Sequence, residues 1–380
     1  MRPLYQLNLQ QQFGGGEVYT DFLCQALGRL GVPHTLLVHP DAPFWQQFNL
    51  PQTTLQAIQP DLPSLLQALA SPSLLLTHGS TPPTWRRALK AAGHRLVGIA
   101  HMPLYGRDPK AFENYDGVIG VSQYVINSLH DAGVKQAYPE PWYGVAALAR
   151  MQRTEMNITQ HSYYDWDKRK GRDRLLSWLE PLVKPFRSRP VFRKKPGLTV
   201  GIVSRLTPIK QFPLLFEHLA PALADIPDLN IEIFGSGGYA SVRDLKQALR
   251  PLAERVRFWG HQHHVADVYA QLDFLLTGLP EKEALGLNVI EAQYCNLPVL
   301  AVDALPFRET VLDGKTGYLF TDPRQDGGKH LKTLLLAIQN GTKPHPQPAQ
   351  EQTHLQRFSL DTFTERVKNT LPWMENSAND

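Results

Sequence analysis

Short apolar runs alternate with longer amphipathic stretches along most of the chain. Brief apolar runs bounded by Gly, Pro or polar residues predict buried strands, and apolar residues three or four positions apart predict helices. In the first half the pattern predicts strands over 4–9, 34–39, 74–78, 96–101 and 117–122. The helices predicted between them are 17–30, 62–70, 83–92 and 124–132.

The second half repeats the alternation. Its predicted strands are 198–204, 231–235, 256–260, 274–278, 298–302 and 317–320, with helices over 212–224, 241–252, 265–272, 287–295 and 330–339. Strand-helix alternation of this kind predicts a parallel sheet covered on both faces. Because it occurs twice, we expect an α/β protein of two doubly wound domains facing a cleft, with ligands at the carboxyl ends of the strands.

The alternation lapses over about 146–195, and this segment is strongly basic. Apolar residues recur at helical spacing over 175–186, with Trp178 nearby, although Pro181 and Pro185 would shorten or kink a helix there. A basic amphipathic helix can lie on an anionic membrane surface. Alternatively, the apolar face packs on the first domain and the charges are solvated.

The C-terminal part is predicted to be a linker followed by one helix. Residues 344–353 are polar and proline-rich, and the following helix spans about 359–371, with Phe363, Val367 and Leu371 on one face and Pro372 after it. We therefore set the domain boundaries at 1–195, including the basic insertion, at 196–355, and at 356–380 for the final helix.

Composition narrows the functional classes. A chain of 380 residues is long for a single core, and its 42% apolar and 19% charged content is typical of globular domains. No apolar run approaches the roughly 18–20 residues that span a bilayer, and the start reads as a strand rather than a signal peptide. Two cysteines in apolar helical patterns predict neither a disulfide framework nor a metal site, so we expect a cytoplasmic protein.

Two acidic residues are the sharpest candidates for chemistry. Glu283 follows a predicted strand, and Glu291 lies inside the next predicted helix, within its apolar face. The backbone amides around Gly286 and Leu287 would form the positive helix N-terminus between them, so both acids can converge on one ligand. In the alternative interpretation, Glu283 stabilises its own helix dipole and Glu291 pairs with a buried arginine.

Candidate phosphate-binding groups occur at two strand ends. Gly15 and Gly16 lie between the first strand and the first helix, where backbone amides can approach a phosphate, although a tight turn would need glycine as well. Arg205 and Lys210 follow the first strand of the second half. Two cations there suit a diphosphate, although surface cations without a role are common.

Other strand ends carry small or imidazole side chains. The turn containing Gly235 and Ser236 could contact a base or a ribose. His78 and His101 end adjacent predicted strands, and His101 is the better functional candidate, although a structural histidine is an ordinary alternative. A cluster at 261–264 contains three histidines, but no cysteine or carboxylate stands at ligand spacing, so we predict no metal site.

In order along the chain, these segments resemble the retaining glycosyltransferases of the GT-B fold, the glycosyl transferases group 1. Glu283 and Glu291 match the family's E-x7-E signature with its internal glycine, and Arg205 and Lys210 match its R-x4-K. Residues 291–299 are similar to E-A-x-A-x-G-x-P-V, with Asn296 in place of the glycine, and residues 306–317 are similar to the ending P-E-x-x-x-D-G-x-x-G. Residues 143–146 depart from the family's N-G-V-D.

The resemblance implies a role for each candidate. Glu291 would bind the ribose hydroxyls of a nucleotide, and Glu283 would lie by the donor sugar, whose hydroxyls the amides near Gly286 would hold. Arg205, Lys210 and the amides of Gly15 and Gly16 would stabilise the departing diphosphate, and His101 would position the sugar or phosphate. It also implies two Rossmann-like domains and a final helix that crosses back to the first.

The function implied is retaining transfer of a sugar from a nucleotide diphosphate sugar to a glycan or lipid-linked acceptor, without a metal cofactor. Surface polysaccharide or lipopolysaccharide assembly is the expected setting, in the cytoplasm, with possible contact between residues 150–195 and the membrane. Alternatives are a nucleotide-sugar epimerase of similar fold and a non-catalytic nucleotide-sugar-binding protein. A nucleic-acid partner is not expected, because no aromatic and basic recognition pattern is present.

Overall fold

The computed structural model describes residues 2–70, 72–146, 153–154, 156–166, 171, 178 and 190–376. The chain divides into two compact units. The first comprises the described residues up to Ala146 together with those from Gln356 onward, and the second comprises those between, as far as Leu355.

The first unit is built on a parallel sheet with the order β3-β2-β1-β4-β5-β6 among the described residues. Its strands are β1 (Leu4–Asn8), β2 (His34–Val38), β3 (Thr53–Ala57), β4 (Leu74–Thr77), β5 (Arg95–Ala100) and β6 (Gly117–Gly120). Its first helices are α1 (Gly15–Arg29), α2 (Leu62–Ala68), α3 (Pro83–Ala91) and α4 (Gln123–Asp131). Every strand and helix that the apolar pattern predicted in this half is present.

Strand β3 is the strand of the first unit's sheet that the pattern missed. It pairs with β2 at the edge of the sheet, and four of its five residues are exposed. Because this strand has no buried face, its sequence, Thr-Thr-Leu-Gln-Ala, lacks the apolar signal on which strand prediction depends.

The C-terminal helix returns to the first unit, as predicted. This helix, α13 (Leu360–Asn376), packs against α1, and Thr370 accepts a hydrogen bond from the buried indole of Trp142. The helix continues through Pro372, whereas the sequence predicted its end before that residue. Packing explains the difference, because Met374 is fully buried and Trp373 lies against Gly117.

The second unit contains the sheet order β12-β11-β10-β7-β8-β9 within the described residues. Its strands are β7 (Leu198–Val203), β8 (Leu229–Phe234), β9 (Val256–Gly260), β10 (Phe274–Leu276), β11 (Val299–Val302) and β12 (Gly317–Phe320). The helices are α5 (Phe212–Leu223), α6 (Tyr239–Ala248), α7 (Val265–Tyr269), α8 (Leu287–Tyr294), α9 (Phe307–Thr310), α10 (Pro323–Asp326), α11 (Lys329–Gln339) and α12 (Gln352–Gln356). Two buried apolar clusters cover the sheet.

The described part of the basic insertion belongs to the second unit, whereas the sequence analysis assigned the insertion to the N-terminal domain. Ile158 and Phe192 are buried in the second unit's core, and the amide of His161 donates to the carbonyl of Trp259 in β9. The insertion therefore covers an edge strand whose backbone groups would otherwise be open to pairing. The predicted amphipathic helix at 175–186 lies outside the described residues.

In each sheet the order of the strands reverses at one point. In the first unit the order reverses between β1 and β4, and in the second between β7 and β10. Open α/β sheets bind ligands beside the carboxyl ends of the strands at this switch point. Among the helices described, none is both long and apolar enough to cross a membrane.

Candidate functional site

The loop after β7 places Lys210 beside the loop after β10. The amide of Lys210 donates to the carbonyl of Thr207, which closes a turn, and the lysine backbone passes directly over Gly278. A Cβ at Gly278 would lie 2.0 Å from the carbonyl oxygen of Lys210, so the absence of a side chain there permits this approach. The two loops at the switch point are thus fixed to each other by backbone contact.

Glu283 forms an ion pair with Lys210. The side chains are 16% and 23% exposed, respectively, and the carboxylate accepts a hydrogen bond from the Lys210 amine. Its other oxygen lies 3.2 Å from the backbone amide of Ala284. Both carboxylate oxygens are therefore held, and the acid points at the lysine rather than into bulk solvent.

Gly286 starts the helix that separates the two acidic residues. Its φ of 84° lies in the left-handed region, which favours glycine, and α8 begins at Leu287. Asn288, in the first turn, donates from its side chain to the carbonyl of Val203 at 3.1 Å. This bond ties the N-terminus of α8 to the end of β7. Asn288 was not predicted from the sequence, although a polar amide in a first helical turn is a recognisable signal.

Glu291 is half-buried and is hydrogen-bonded to Tyr269, which was not predicted as a site residue. The hydroxyl of Tyr269 in α7 donates to Glu291 Oε2 at 3.4 Å. Burial, and secondarily the Glu291 charge, raise the pKa of Tyr269 well above its usual value. Burial and Glu291 also raise the pKa of Cys295 to about 11, against a smaller opposite effect from Arg153.

The Glu291 charge can be detected through Cys295. In a Cys24→Ala background, Glu291→Gln should lower the pKa of the Cys295 thiol, because a neutral amide no longer opposes the thiolate. The pKa of Cys295 should remain above its usual value in this variant, since burial is the larger cause of its elevation. The pH dependence of alkylation at Cys295 measures this pKa. An unchanged profile would show that Glu291 carries no charge beside the thiol.

A glycine-containing turn follows β8, the strand beside β7 in the sheet. Gly235 has a φ of 139°, and a Cβ on it would lie 1.9 Å from the carbonyl oxygen of Ser204. Ser236 accepts a hydrogen bond from the amide of Leu206 at 2.8 Å. The loops after β7 and β8 are consequently in direct backbone contact, with Gly235 and Ser236 at the ligand end of the sheet.

Residues of the insertion form backbone hydrogen bonds to the turn after β8. The amide of Gly237 donates to the carbonyl of Tyr163, and the amide of Asp165 donates to the carbonyl of Gly237. The ring of Tyr164 packs beside those of Trp166 and Tyr239, with ring centroids 4.9 and 5.8 Å away. Residues of the insertion therefore form part of the wall around the loop after β8.

Arg205 and the histidine cluster stand apart from these contacts. Arg205 is exposed and forms no ion pair within the described ranges. The rings of His261 and His263 lie 5.0 Å apart. Among the described residues, no three His, Cys, Asp or Glu side chains are grouped so that they could hold a metal ion.

In the first unit the predicted glycine loop begins α1. Gly14 is the extended residue before the helix, Gly15 and Gly16 are its first two residues, and no side chain caps this end. Around Gly16 a Cβ would meet no atom within 4 Å, so the backbone there is open. Glu17 is buried and accepts a hydrogen bond from Asn8 in β1. The two glycine amides thus stand at the carboxyl end of β1, beside the switch point.

His78 and His101 meet at the ends of β4 and β5. His78 Nδ1 and His101 Nε2 are 3.2 Å apart, and the rings are nearly parallel. Tyr19 packs edge-on against His101 with centroids 4.8 Å apart. Burial lowers the pKa of His101 to about 4, and burial together with His101 lowers the pKa of His78 well below its usual value. Both imidazoles are therefore neutral at pH 7.

These depressed pKa values make folding stability depend on pH. Between pH 7 and pH 5 the unfolded chain gains protons that the folded His101 does not bind, so stability falls as pH falls. The shift from 6.5 to about 4 corresponds to a loss of about 1–2 kcal/mol from His101 over this range. Urea denaturation of wild type and His101→Gln should show a smaller pH dependence in the variant. Equal slopes would contradict a neutral, desolvated His101.

Comparison with known proteins finds a family match within the second unit. Residues 197–335 match the family described as glycosyl transferases group 1. This part of the chain is similar to the glycosyl transferases group 1 family. The matched residues include Arg205, Lys210, Glu283 and Glu291.

Two curated relatives match parts of the chain. The GDP-mannose-dependent α-(1-6)-phosphatidylinositol monomannoside mannosyltransferase of Mycolicibacterium smegmatis is 32% identical over 142 residues, covering 34% of this chain and 37% of that protein. The GDP-mannose-dependent monoacylated α-(1-6)-phosphatidylinositol monomannoside mannosyltransferase of Corynebacterium glutamicum is 28% identical over 193 residues, covering 47% of this chain and 49% of that protein. The chain thus matches less than half the length of either relative.

The structural comparison covers both units. The crystal structure of Anabaena Alr3699/HepE in complex with UDP has a TM-score of 0.71 at 19% identity, covering 98% of this chain and 100% of that one. The two units therefore have the predicted GT-B fold, with two doubly wound α/β domains.

Proposed function

We propose that this protein transfers a sugar from a nucleotide diphosphate sugar to a glycan or lipid-linked acceptor, with retention of configuration. One observation carries the proposal: a lysine-glutamate pair is held at the switch point of the unit that is similar to glycosyl transferases group 1, at the N-terminus of α8. A cation, an oriented carboxylate and helix amides together suit the diphosphate and sugar parts of such a donor.

Each residue of the second unit has a proposed role. Lys210 and Arg205 neutralise charge that develops on the diphosphate as the sugar bond breaks, which is electrostatic stabilisation of a leaving group. Glu283 lies by the donor sugar, and the amides of Gly286 and Leu287 bind sugar or phosphate oxygens. Glu291 binds the ribose hydroxyls, with Tyr269 holding its carboxylate.

The turn at Gly235 and Ser236 is proposed to contact the nucleotide base or ribose. Its rigid backbone contacts with the loop after β7 provide a fixed surface for such a ligand. The described insertion residues beside it, including Tyr164, would then contribute to the shape of that surface. This assignment places the base at the β8 end of the sheet and the phosphates near β7.

In the first unit, the proposal concerns Gly15, Gly16 and His101. The uncapped amides at the start of α1 offer donors to a phosphate or sugar oxygen. His101 is neutral, so it can position a hydroxyl through a hydrogen bond without introducing charge. No metal ion or other cofactor is required by these roles.

Positioning, rather than proton exchange between two acids, is the proposed role of Glu283 and Glu291. A hydrolytic carboxylate pair would need one acid to protonate the leaving oxygen and the other to activate water or attack the sugar. Here Glu283 is paired with a lysine, and this fixed contact suits a positioning carboxylate. The proposed setting is assembly of surface polysaccharide or lipopolysaccharide on the cytoplasmic side of the membrane.

Turnover tests the proposal. The protein is incubated with uridine, guanosine and adenosine diphosphate sugars, with and without glycan and lipid-linked acceptors, and nucleotide release and product anomeric configuration are measured. We expect one donor to raise the melting temperature and to be consumed only with acceptor, giving a retained linkage. Donor conversion without acceptor would indicate an epimerase, stabilisation without turnover a binding protein, and no response to any donor would refute the proposal.

Glu291→Gln should separate donor binding from chemistry. Losing a charged acceptor for ribose hydroxyls should weaken donor binding by about 10–100-fold, since a hydrogen bond to a charged group contributes roughly 1.5–3 kcal/mol. The value of kcat should change much less, because the interaction is present before and during the reaction. Steady-state kinetics measure both. A lowered kcat at unchanged KM would contradict the ribose assignment.

A further inference from the structure

A chain of polar side chains runs inside the first unit from β1 to the end of β5. Gln6, in the centre of β1, is fully buried. Its Oε1 lies 2.9 Å from His78 Nε2, and its Nε2 lies 3.3 Å from Cys24 Sγ. The other nitrogen of the His78 ring, Nδ1, lies 3.2 Å from His101 Nε2. Gln6, His78 and His101 therefore form a continuous hydrogen-bonded series.

The order of donors and acceptors in this series follows from its first member. With Gln6 Nε2 donating to the Cys24 sulfur, Gln6 Oε1 is an acceptor, so His78 Nε2 must carry the proton. A neutral imidazole has only one N–H, so His78 Nδ1 then accepts. Its neighbour His101 Nε2 is consequently the donor, and the unprotonated nitrogen of His101 is Nδ1.

A threonine beside His78 is compatible with this order. Thr20 Oγ1 lies 3.0 Å from His78 Nδ1 and 2.9 Å from the carbonyl oxygen of Gly16, and it accepts a hydrogen bond from Asn8 Nδ2 at 2.9 Å. A hydroxyl rotates freely, so its proton can face either the histidine or the carbonyl. His78 Nδ1 remains an acceptor in both cases.

His101 Nδ1 is the open end of the series. It has no hydrogen-bond partner in the described part of the chain. It is also not one of the side-chain nitrogen and oxygen atoms that are both inaccessible to solvent and without a partner. It stands at the carboxyl end of β5, on the ligand side of the sheet. The series thus begins in the core and ends at an acceptor on the ligand side of the sheet.

We propose that Gln6 and His78 are positioning residues that fix the tautomer of His101, so that its Nδ1 accepts a hydrogen bond from a hydroxyl group of the bound sugar substrate. The ligand class rests on the proposed function, whereas the tautomers do not. The opposite order, with the Gln6 amide reversed, would make His101 Nδ1 a donor and would suit a phosphate oxygen instead.

The tautomers can be measured in the ligand-free protein. Two-bond ¹⁵N–¹H correlation spectra of ¹⁵N-histidine-labelled protein at pH 7 distinguish protonated from unprotonated ring nitrogens, and His78 and His101 variants assign the signals. We expect both rings to carry the proton on Nε2 and to have an unprotonated Nδ1. Protonation of His101 on Nδ1 would overturn the proposal whether or not the protein is active on any sugar.

Variants test whether His78 acts through His101. His78→Leu removes the acceptor for His101 Nε2–H, so His101 should become a mixture of tautomers and kcat/KM should fall about tenfold or more. His78→Asn should restore both, since its side-chain oxygen can replace Nδ1 as acceptor. The control is His94→Leu, which removes a buried histidine bonded to Ser73 before β5, the strand that ends next to His101.

Three results separate the explanations. Positioning is supported if kcat/KM and the single His101 tautomer are retained in His78→Asn but lost in His78→Leu. It is refuted if kcat/KM falls equally in both His78 variants, or if it falls as much in the His94→Leu control as in His78→Leu. If the measured tautomers agree with the series but no donor is consumed by wild type, the proposed function fails while the assignment of the series stands.

Discussion

Lys210→Met lowers kcat by about 10²–10³-fold while donor binding weakens by less than tenfold. Removing one preorganised group that stabilises developing charge typically has an effect of this size on kcat. Methionine retains the length and apolar stem of lysine, so the loss is the charge. The structure supports a large effect, because the Lys210 backbone is fixed against Gly278 and its amine is oriented by Glu283.

The matched control is Lys332→Met. Lys332 is also a partly exposed lysine in an ion pair, with Asp225 on the surface of the same unit, and its side chain is 31% exposed against 23% for Lys210. Steady-state kinetics with a saturating donor compare the two variants, and the melting temperature confirms folding. Similar kcat values for the two variants would remove Lys210 from the chemistry.

Gly235→Ala is expected to abolish measurable donor binding and to destabilise the second unit. The new Cβ would lie 1.9 Å from the Ser204 carbonyl oxygen, at a φ of 139° that L-residues rarely adopt. Backbone strain alone costs about 1–3 kcal/mol. The contact can be relieved only by moving the loops after β7 and β8 apart, which displaces Arg205 and Ser236 together.

Gly238→Ala is the control for this substitution. Gly238 lies three residues along the same turn, has an ordinary φ of −61°, and a Cβ there would meet no atom within 4 Å. We expect thermal unfolding to shift by several degrees for Gly235→Ala, since about 1 kcal/mol changes Tm by roughly 2–4 °C in a domain of this size. If Gly235→Ala binds nucleotide as well as Gly238→Ala does, the close approach of the loops is unimportant for the site.

Buried strands and amphipathic helices were predictable because burial leaves a periodic apolar signal. Even the short β10 was recognised, since the strand is fully buried. The exposed edge strand β3 has no such signal and was missed. The extension of α13 through Pro372 also required tertiary information, because the packing of Met374 and Trp373 outweighs the local effect of proline.

The candidate site was predictable where its residues lie on strand-end loops. Glu283 and Lys210 are 73 positions apart, and the sequence placed each at a carboxyl end without indicating their direct contact. Tyr269 and Asn288 were missed, because each acts through a contact with a distant element. The insertion was assigned to the wrong unit for the same reason: its composition is basic, but the buried Ile158 and Phe192 determine where its described part packs.

Calorimetric titration with UDP, GDP and ADP tests the central claim, that the second unit binds the nucleotide part of a sugar donor, most directly. It is performed on wild type, Glu291→Gln and Lys332→Met. At least one nucleoside diphosphate should bind wild type and Lys332→Met equally, and should bind Glu291→Gln about 10–100-fold more weakly. Absence of binding by all three nucleotides, or equal affinity of wild type and Glu291→Gln, would contradict the account.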